Sequence, residues 1–309
     1  MMPMGKYLSV KERIVSAFLE SESFSLKEAY SVCDDKPSST VRGRIYDNIG
    51  KSFEKISSGV YKVINNGSTC LLLEGDGRNP QALGVEPNSV DLIITDHPWM
   101  DKKSNKGGNR DFSQYKTFSY SQEDMDRKAA LLKDGCFLVE ILPAENENNY
   151  EALYNIKTMA KKAGLNYYAL VDWKKGDFVA NTGRKAKNTE SVMIFVKGKA
   201  RALRPDVKKN LAEPGKEHFM SGSATMLPTV FDIPIVPKKE RLHQAEKPVK
   251  LFTQLIECLS KVGETVLDQF AGSGAVGAAA LECGRNCILI EECKETISTI
   301  IKRLNLQPA

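Results

Sequence analysis

The stretch Val266–Gly274, VLDQFAGSG, continuing as AVGAAALECGRNCILIE to Glu291, decides how the rest of the chain reads. Val266 and Leu267 end a buried strand. Gly272 and Gly274 permit a turn that a Cβ would obstruct, and they bring backbone amides close to a ligand. The small residues Ala275–Ala280 continue as a helix able to lie close against a sheet. Gly284 closes that helix, and Cys287–Ile290 is a second short strand. Glu291 then stands at the strand end, where a nucleotide-binding βαβ unit holds ribose hydroxyls. A glycine-rich loop alone is a weak signal; the loop–helix–strand–acid context gives it weight.

The chain of 309 residues has room for one large α/β domain plus a small one. Its 27% charged and 41% hydrophobic residues are ordinary, and a net charge of +5 permits a polyanionic partner without demonstrating one. No apolar run approaches the ~18 residues of a bilayer span, and the N-terminus lacks a signal-peptide core, so no membrane partner is expected. The seven cysteines form no C-x-x-C pair, and His97, His218 and His243 lack ligand-like spacing. Reduced thiols, no metal and a cytoplasmic location are the expectation.

Residues 1–65 read as a small separate domain. Val10, Ile14 and Phe18 recur at helical spacing; Ser25-Leu26-Lys27-Glu28 fits a capping box; Pro37 introduces a third helix over Thr40–Asn48. Phe53–Val63 reads as a hairpin turning near Gly59. Asn65–Ser68 is a linker, and residues 66–309 form the second domain. There Cys70–Leu73 is a strand running into Glu74-Gly75-Asp76, and Asp91–Thr95 is a strand delivering Asp96-His97-Pro98-Trp99. Ser121–Leu132, Tyr150–Lys162 and Val249–Leu259 are helices; Gly135–Leu142, Tyr167–Val171 and Ser191–Val196 complete a sheet. Three stretches lack periodicity: 100–117, with Lys102, Lys103, Lys106 and Arg110; 173–189, with Lys174, Lys175 and Arg184 among aromatics; and the proline-broken 198–240. Basic loops with interleaved aromatics suit nucleic acid, the first closing over a target strand.

VLDQFAGSG resembles the D-P-F-x-G-S-G loop of amino-group DNA methyltransferases, with Gln269 in place of proline, and Asp96–Trp99 (DHPW) resembles their D-P-P-Y tetrapeptide. The tetrapeptide precedes the loop, the β-type order. The resemblance spans roughly residues 66–309. It implies a Rossmann-like α/β sheet in circularly permuted order, with S-adenosylmethionine as cofactor held by Asp76, Lys247, Asp268, Phe270, Gly272, Ser273, Gly274 and Glu291. The stretch STVRGRIYDN…FEKISSGVYKV is similar to HARE-type winged-helix modules. In their DNA-binding form the third helix, here with Arg42 and Arg44 outward, enters the major groove. DNA is then the partner and the location nucleoid-associated; a homodimer is compatible with the sequence.

The resemblance also implies a chemistry. An exocyclic amine is a poor nucleophile because its lone pair is delocalised into the ring. Two acceptors, the Asp96 carboxylate and the His97 carbonyl, draw on its N–H groups, while Trp99 replaces the stacking of a flipped base. Pro98 is retained from the tetrapeptide; His97 removes one proline's φ restriction. Asp at the first position favours adenine N6. The alternatives are cytosine N4, RNA, or a regulator with a degenerate site; a protein-glutamine methyltransferase has the opposite motif order.

Overall fold

The computed structural model describes residues 9–19, 21–49, 52–63, 67–98, 118–176, 188–206, 226–243 and 245–306. Near the N-terminus, α1 (Val10–Phe18), α2 (Leu26–Val32) and α3 (Ser38–Tyr46) accompany an antiparallel sheet of β1 (Phe24–Ser25), β2 (Phe53–Ser57) and β3 (Val60–Val63), in the order β1-β3-β2. The capping box is present: Ser25 Oγ accepts from Glu28 N at 3.3 Å, and Glu28 Oε2 accepts from Ser25 N at 2.7 Å. Helix α3 opens two residues before Thr40, because Pro37 takes the cap position and no serine side chain caps. Ile14, Phe24, Val41, Ile45, Phe53 and Tyr61 are buried together in a core of their own.

The second sheet holds β4 (Cys70–Glu74), β5 (Val90–Thr95), β6 (Leu132–Pro143), β7 (Leu165–Lys174), β8 (Thr189–Lys197), β9 (Val230–Asp232), β10 (Thr265–Asp268) and β11 (Asn286–Glu291). Its order among the described residues is β4-β11-β10-β5-β6-β8-β7-β9. Strands β4, β11, β10, β5 and β6 run parallel, β8 is antiparallel to β6 and β7, and β9 adds parallel to β7. Every residue of β5 is buried, as a parallel strand covered on both faces must be. Leu92 and Ile94 face α6 (Val249–Leu259), α7 (Ala275–Glu282) and α8 (Lys294–Leu304), whereas Ile93 faces α4 (Gln122–Leu131) and α5 (Tyr150–Lys162).

Strand β9 was not expected in the proline-broken 198–240 stretch. Three residues between Pro228 and Pro234 are too few to show a period; Phe231, buried beside Trp173, holds them at the sheet edge. The connections position the site. From β10 the chain passes through α7 to β11 on one side, and from β5 through α4 to β6 on the other. The carboxyl ends of the adjacent β10 and β5 therefore face the gap where strand order reverses, which is where open α/β sheets take ligands.

Candidate active site

Both motifs emerge at that gap. Strand β10 ends on Asp268, 4% exposed, whose Oδ1 accepts from Phe270 N at 3.1 Å. Gly272 (φ +49°) and Gly274 (φ +73°) then turn the loop into α7. Glu291, at the end of the neighbouring β11, accepts from Gly272 N on Oε2 and from Cys293 N on Oε1, both at 2.9 Å. A Cβ at Gly272 would reach ordinary contact with the His243 ring at 3.8 Å and Phe270 O at 3.9 Å without a clash, so the positive φ is what favours glycine there. Ser273 is buried, and its carbonyl accepts from Arg303, which also binds Glu246 at 2.7 Å. Asp76, at the end of β4, is exposed and its Oδ1 accepts from Arg78 N at 2.9 Å. The residues expected to hold a cofactor, Lys247 before α6 apart, thus lie at the ends of three adjacent strands.

Strand β5 delivers Asp96 half-buried, with its Oδ2 accepting from Lys247. The same ammonium stands 3.7 Å from Glu190 Oε2, and Lys175 lies 2.5 Å from Glu190 Oε1. Burial pushes the Asp96 carboxyl up from the usual carboxylate range; Lys247 opposes this and Glu190 adds to it. Lys247 is held above the ordinary lysine range: its burial is outweighed by Asp96 and Glu190. Asp268 is pushed up to about 8, mainly by burial, with Phe270 N–H opposing and the Asp96 and Glu291 charges adding.

His97 is 1% exposed. Its ring meets Tyr120 edge-on at 4.2 Å and Phe118 at 5.4 Å, and its Nδ1 lies 3.9 Å from Glu140 Oε2. Tyr120 Oη and Lys128 Nζ both donate to Glu140 Oε1, at 2.7 and 2.8 Å. Burial, with the nearby Lys128 charge, holds the imidazole well below its usual range and so neutral.

The expected 173–189 loop is corrected at its start: Trp173 and Lys174 are the last two residues of β7. The inward phase of Trp173 leaves it 1% exposed, with Nε1 donating to Ile233 O at 2.8 Å. Lys174 and Lys175, expected near phosphate, carry ion pairs here, to Asp232 at 2.9 Å on the surface and to Glu190. Lys247, expected among the cofactor residues, places its ammonium against Asp96 and Glu190. Trp99, Lys102, Lys103, Lys106, Arg110 and Arg184 lie outside the described residues. Arg42 and Arg44 are exposed on α3, with Arg44 3.5 Å from Asp47. Glu190, Glu140, Lys128 and Tyr120 gave no sequence signal, being single polar residues inside apolar or unremarked segments. Among the described residues there is no cluster that could hold a metal, and no helix is long and apolar enough to cross a membrane.

A family model described as DNA methylase matches residues 90–303. The type II methyltransferase M2.DpnII of Streptococcus pneumoniae is 25% identical over 243 residues, 72% of this chain and 85% of that protein. The DNA adenine methyltransferase YhdJ of Escherichia coli is 33% identical over 123 residues, 38% and 40% of the two chains. Among solved structures, the M1.HpyAVI–SAM complex aligns with a TM-score of 0.56 at 21% identity, over 77% of this chain and 100% of that one. The cytosine-N4-specific PvuII DNA methyltransferase gives 0.57 at 17%, over 76% and 86%.

Proposed function

The chain belongs to the N6/N4 DNA methylase family, whose methyl donor is S-adenosylmethionine, and from that premise we propose that it methylates the N6 amine of adenine in DNA. The carrying observation is the placement of Asp96 at the end of β5, next to the glycine loop on β10 and bonded to Lys247. The site fits the cofactor: two glycines of positive φ turn the loop after β10, and carboxylates end the flanking strands. Glu291 and Asp76 would take its hydroxyl-bearing portion, and Asp268, Phe270, Ser273 and Gly274 would shape the cradle. Once bound, S-adenosylmethionine supplies a methyl group activated by a sulfonium.

The chain's own residues prepare the amine. Asp96, held toward its carboxylate form by Lys247, accepts one N–H hydrogen bond, and the His97 carbonyl accepts the other, so the nitrogen lone pair turns out of conjugation. Glu190 anchors Lys247 from behind, with Lys175 balancing its charge. Pro98 holds the turn, and Trp99 is assigned the stacking face for the flipped base. Asp at the first tetrapeptide position and the likeness to an adenine methyltransferase support adenine. The likeness to a cytosine-N4 enzyme keeps that base as the second reading.

Residues 1–65 are assigned to a winged-helix module that holds DNA through Arg42 and Arg44. Lys102, Lys103, Lys106, Arg110 and Arg184 are assigned to the target strand, in a cytoplasmic enzyme working on the nucleoid. Digesting DNA treated with enzyme and cofactor to nucleosides, and identifying the modified base by mass spectrometry, tests the proposal. N6-methyladenine supports it; N4-methylcytosine alone moves the assignment to cytosine.

A further inference from the structure

Gln269 replaces a proline of the resembling loops with a side chain that has rotatable bonds and a polar end. That amide is 1% exposed, and its Nε2 donates to the Gly77 carbonyl at 2.7 Å. The junction is close on both sides. A Cβ at Gly77 would fall 1.8 Å from Gln269 O and 2.9 Å from the Phe270 ring, so the two backbones touch and only glycine fits. Gly77 follows Asp76, while Gly75 N donates to Glu291 O at 3.0 Å. Arg78, next along, binds Asp124 with two bonds of 3.0 and 3.1 Å and lies over Phe118 at 4.5 Å; Phe118 in turn packs 5.5 Å from Phe270. The turn after β4 and the loop after β10 are one tied unit.

The remaining acceptor of the amide, Gln269 Oε1, is buried with no hydrogen-bond partner among the described residues. An amide that meets only part of its hydrogen-bonding capacity is a poor choice for stability, since an apolar side chain of that size would lose less on burial. Its value lies in the one bond it makes.

We propose that Gln269 is a positioning residue for the cofactor loop: its tether to Gly77 sets the spacing between that loop and the Asp76 turn, and affinity for S-adenosylmethionine depends on it. The inference rests on the glycine loop being the cofactor site. Without the tether, the loop is free to separate from the turn, and binding must first reassemble the two.

Titration calorimetry with S-adenosylhomocysteine tests this, alongside thermal melting without ligand. Gln269→Met keeps the length and removes the donor; Gly77→Ala keeps the donor and forces the backbones apart. Each should bind on the order of tenfold more weakly while folded. A lowered melting temperature with unchanged affinity reduces Gln269 to a packing role and overturns the proposal. Should neither variant fold, hydrogen exchange on the unaltered protein decides. Ligand should then protect the amides of Gly77–Asn79 together with those of Gly272 and Ser273; protection confined to the glycine loop overturns it. No binding by the unaltered protein would overturn the cofactor reading as well, which separates the two failures.

Discussion

Lys247, in the segment before α6, donates a hydrogen bond to Asp96 Oδ2 at the end of β5, joining two residues 151 positions apart. The contact counters the burial that pushes the Asp96 carboxyl up. A protonated Asp96 would lose acceptor capacity toward the amine, so the ion pair keeps the catalytic form populated.

Replacing Lys247 with Met removes the main opposing charge and leaves burial and Glu190 pushing Asp96 upward, with Lys175 alone against them. The acid limb of the kcat profile should move to higher pH, since a carboxyl with a raised pKa is lost as acceptor at a less acid pH. Lys247→Arg should keep much of the normal profile. A Lys247→Met profile superimposable on that of the unaltered enzyme would refute the coupling.

Asp96→Ala should abolish methyl transfer on the order of a thousandfold or more, since the stabilising group acts as charge develops on the amine. Cofactor affinity should change little, because the carboxylate is placed on the side of the base. Single-turnover assays with calorimetry check both; residual activity near the normal level ends the mechanism.

His97 is wedged between Phe118, Tyr120 and Glu140, so the residue is more than a tolerated backbone position. His97→Pro keeps the family-like backbone but leaves the fully buried Glu140 facing a void. It should destabilise the fold by about 1–3 kcal/mol, read by denaturant unfolding. An unchanged midpoint with full activity would show that the imidazole is dispensable.

Asp268, pushed up to about 8, is mostly protonated at pH 7. A ligand that prefers the carboxylate must expel that proton, so its affinity follows the deprotonated fraction. Affinity for S-adenosylmethionine should therefore rise roughly an order of magnitude between pH 7 and 8.5, and level off beyond. Flat affinity across that range removes Asp268 from the contact set.

Arg42 and Arg44 are exposed on α3. If both meet phosphate, Arg42→Ala with Arg44→Ala should weaken DNA binding and reduce the salt slope by about 2, with S-adenosylhomocysteine binding unchanged. An unaltered slope would make the N-terminal helices a protein-docking surface.

Local pattern made much of this protein legible. VLDQFAGSG and the strand before Asp96 declared their conformations through β-propensity, glycine and small-residue spacing, and the capping box at Ser25 located α2. These depend on neighbours in the chain, so a one-dimensional reading reaches them. The start of the 173–189 stretch reads as loop because aromatics beside lysines look alike in a loop and at a strand end. Pairing of β7 with both β8 and β9 makes it strand and leaves Trp173 inside. The same holds for the Lys247–Asp96–Glu190 group, the Glu140 network behind His97, and the Gly77–Gln269 junction, whose partners lie 12 to 192 positions apart on different elements. Contacts over such distances follow from strand order, which brings the ends of β4, β5, β8, β10 and β11 together. The sequence determined which groups were available; the sheet decided which of them meet, because burial and pairing are properties of neighbours in space.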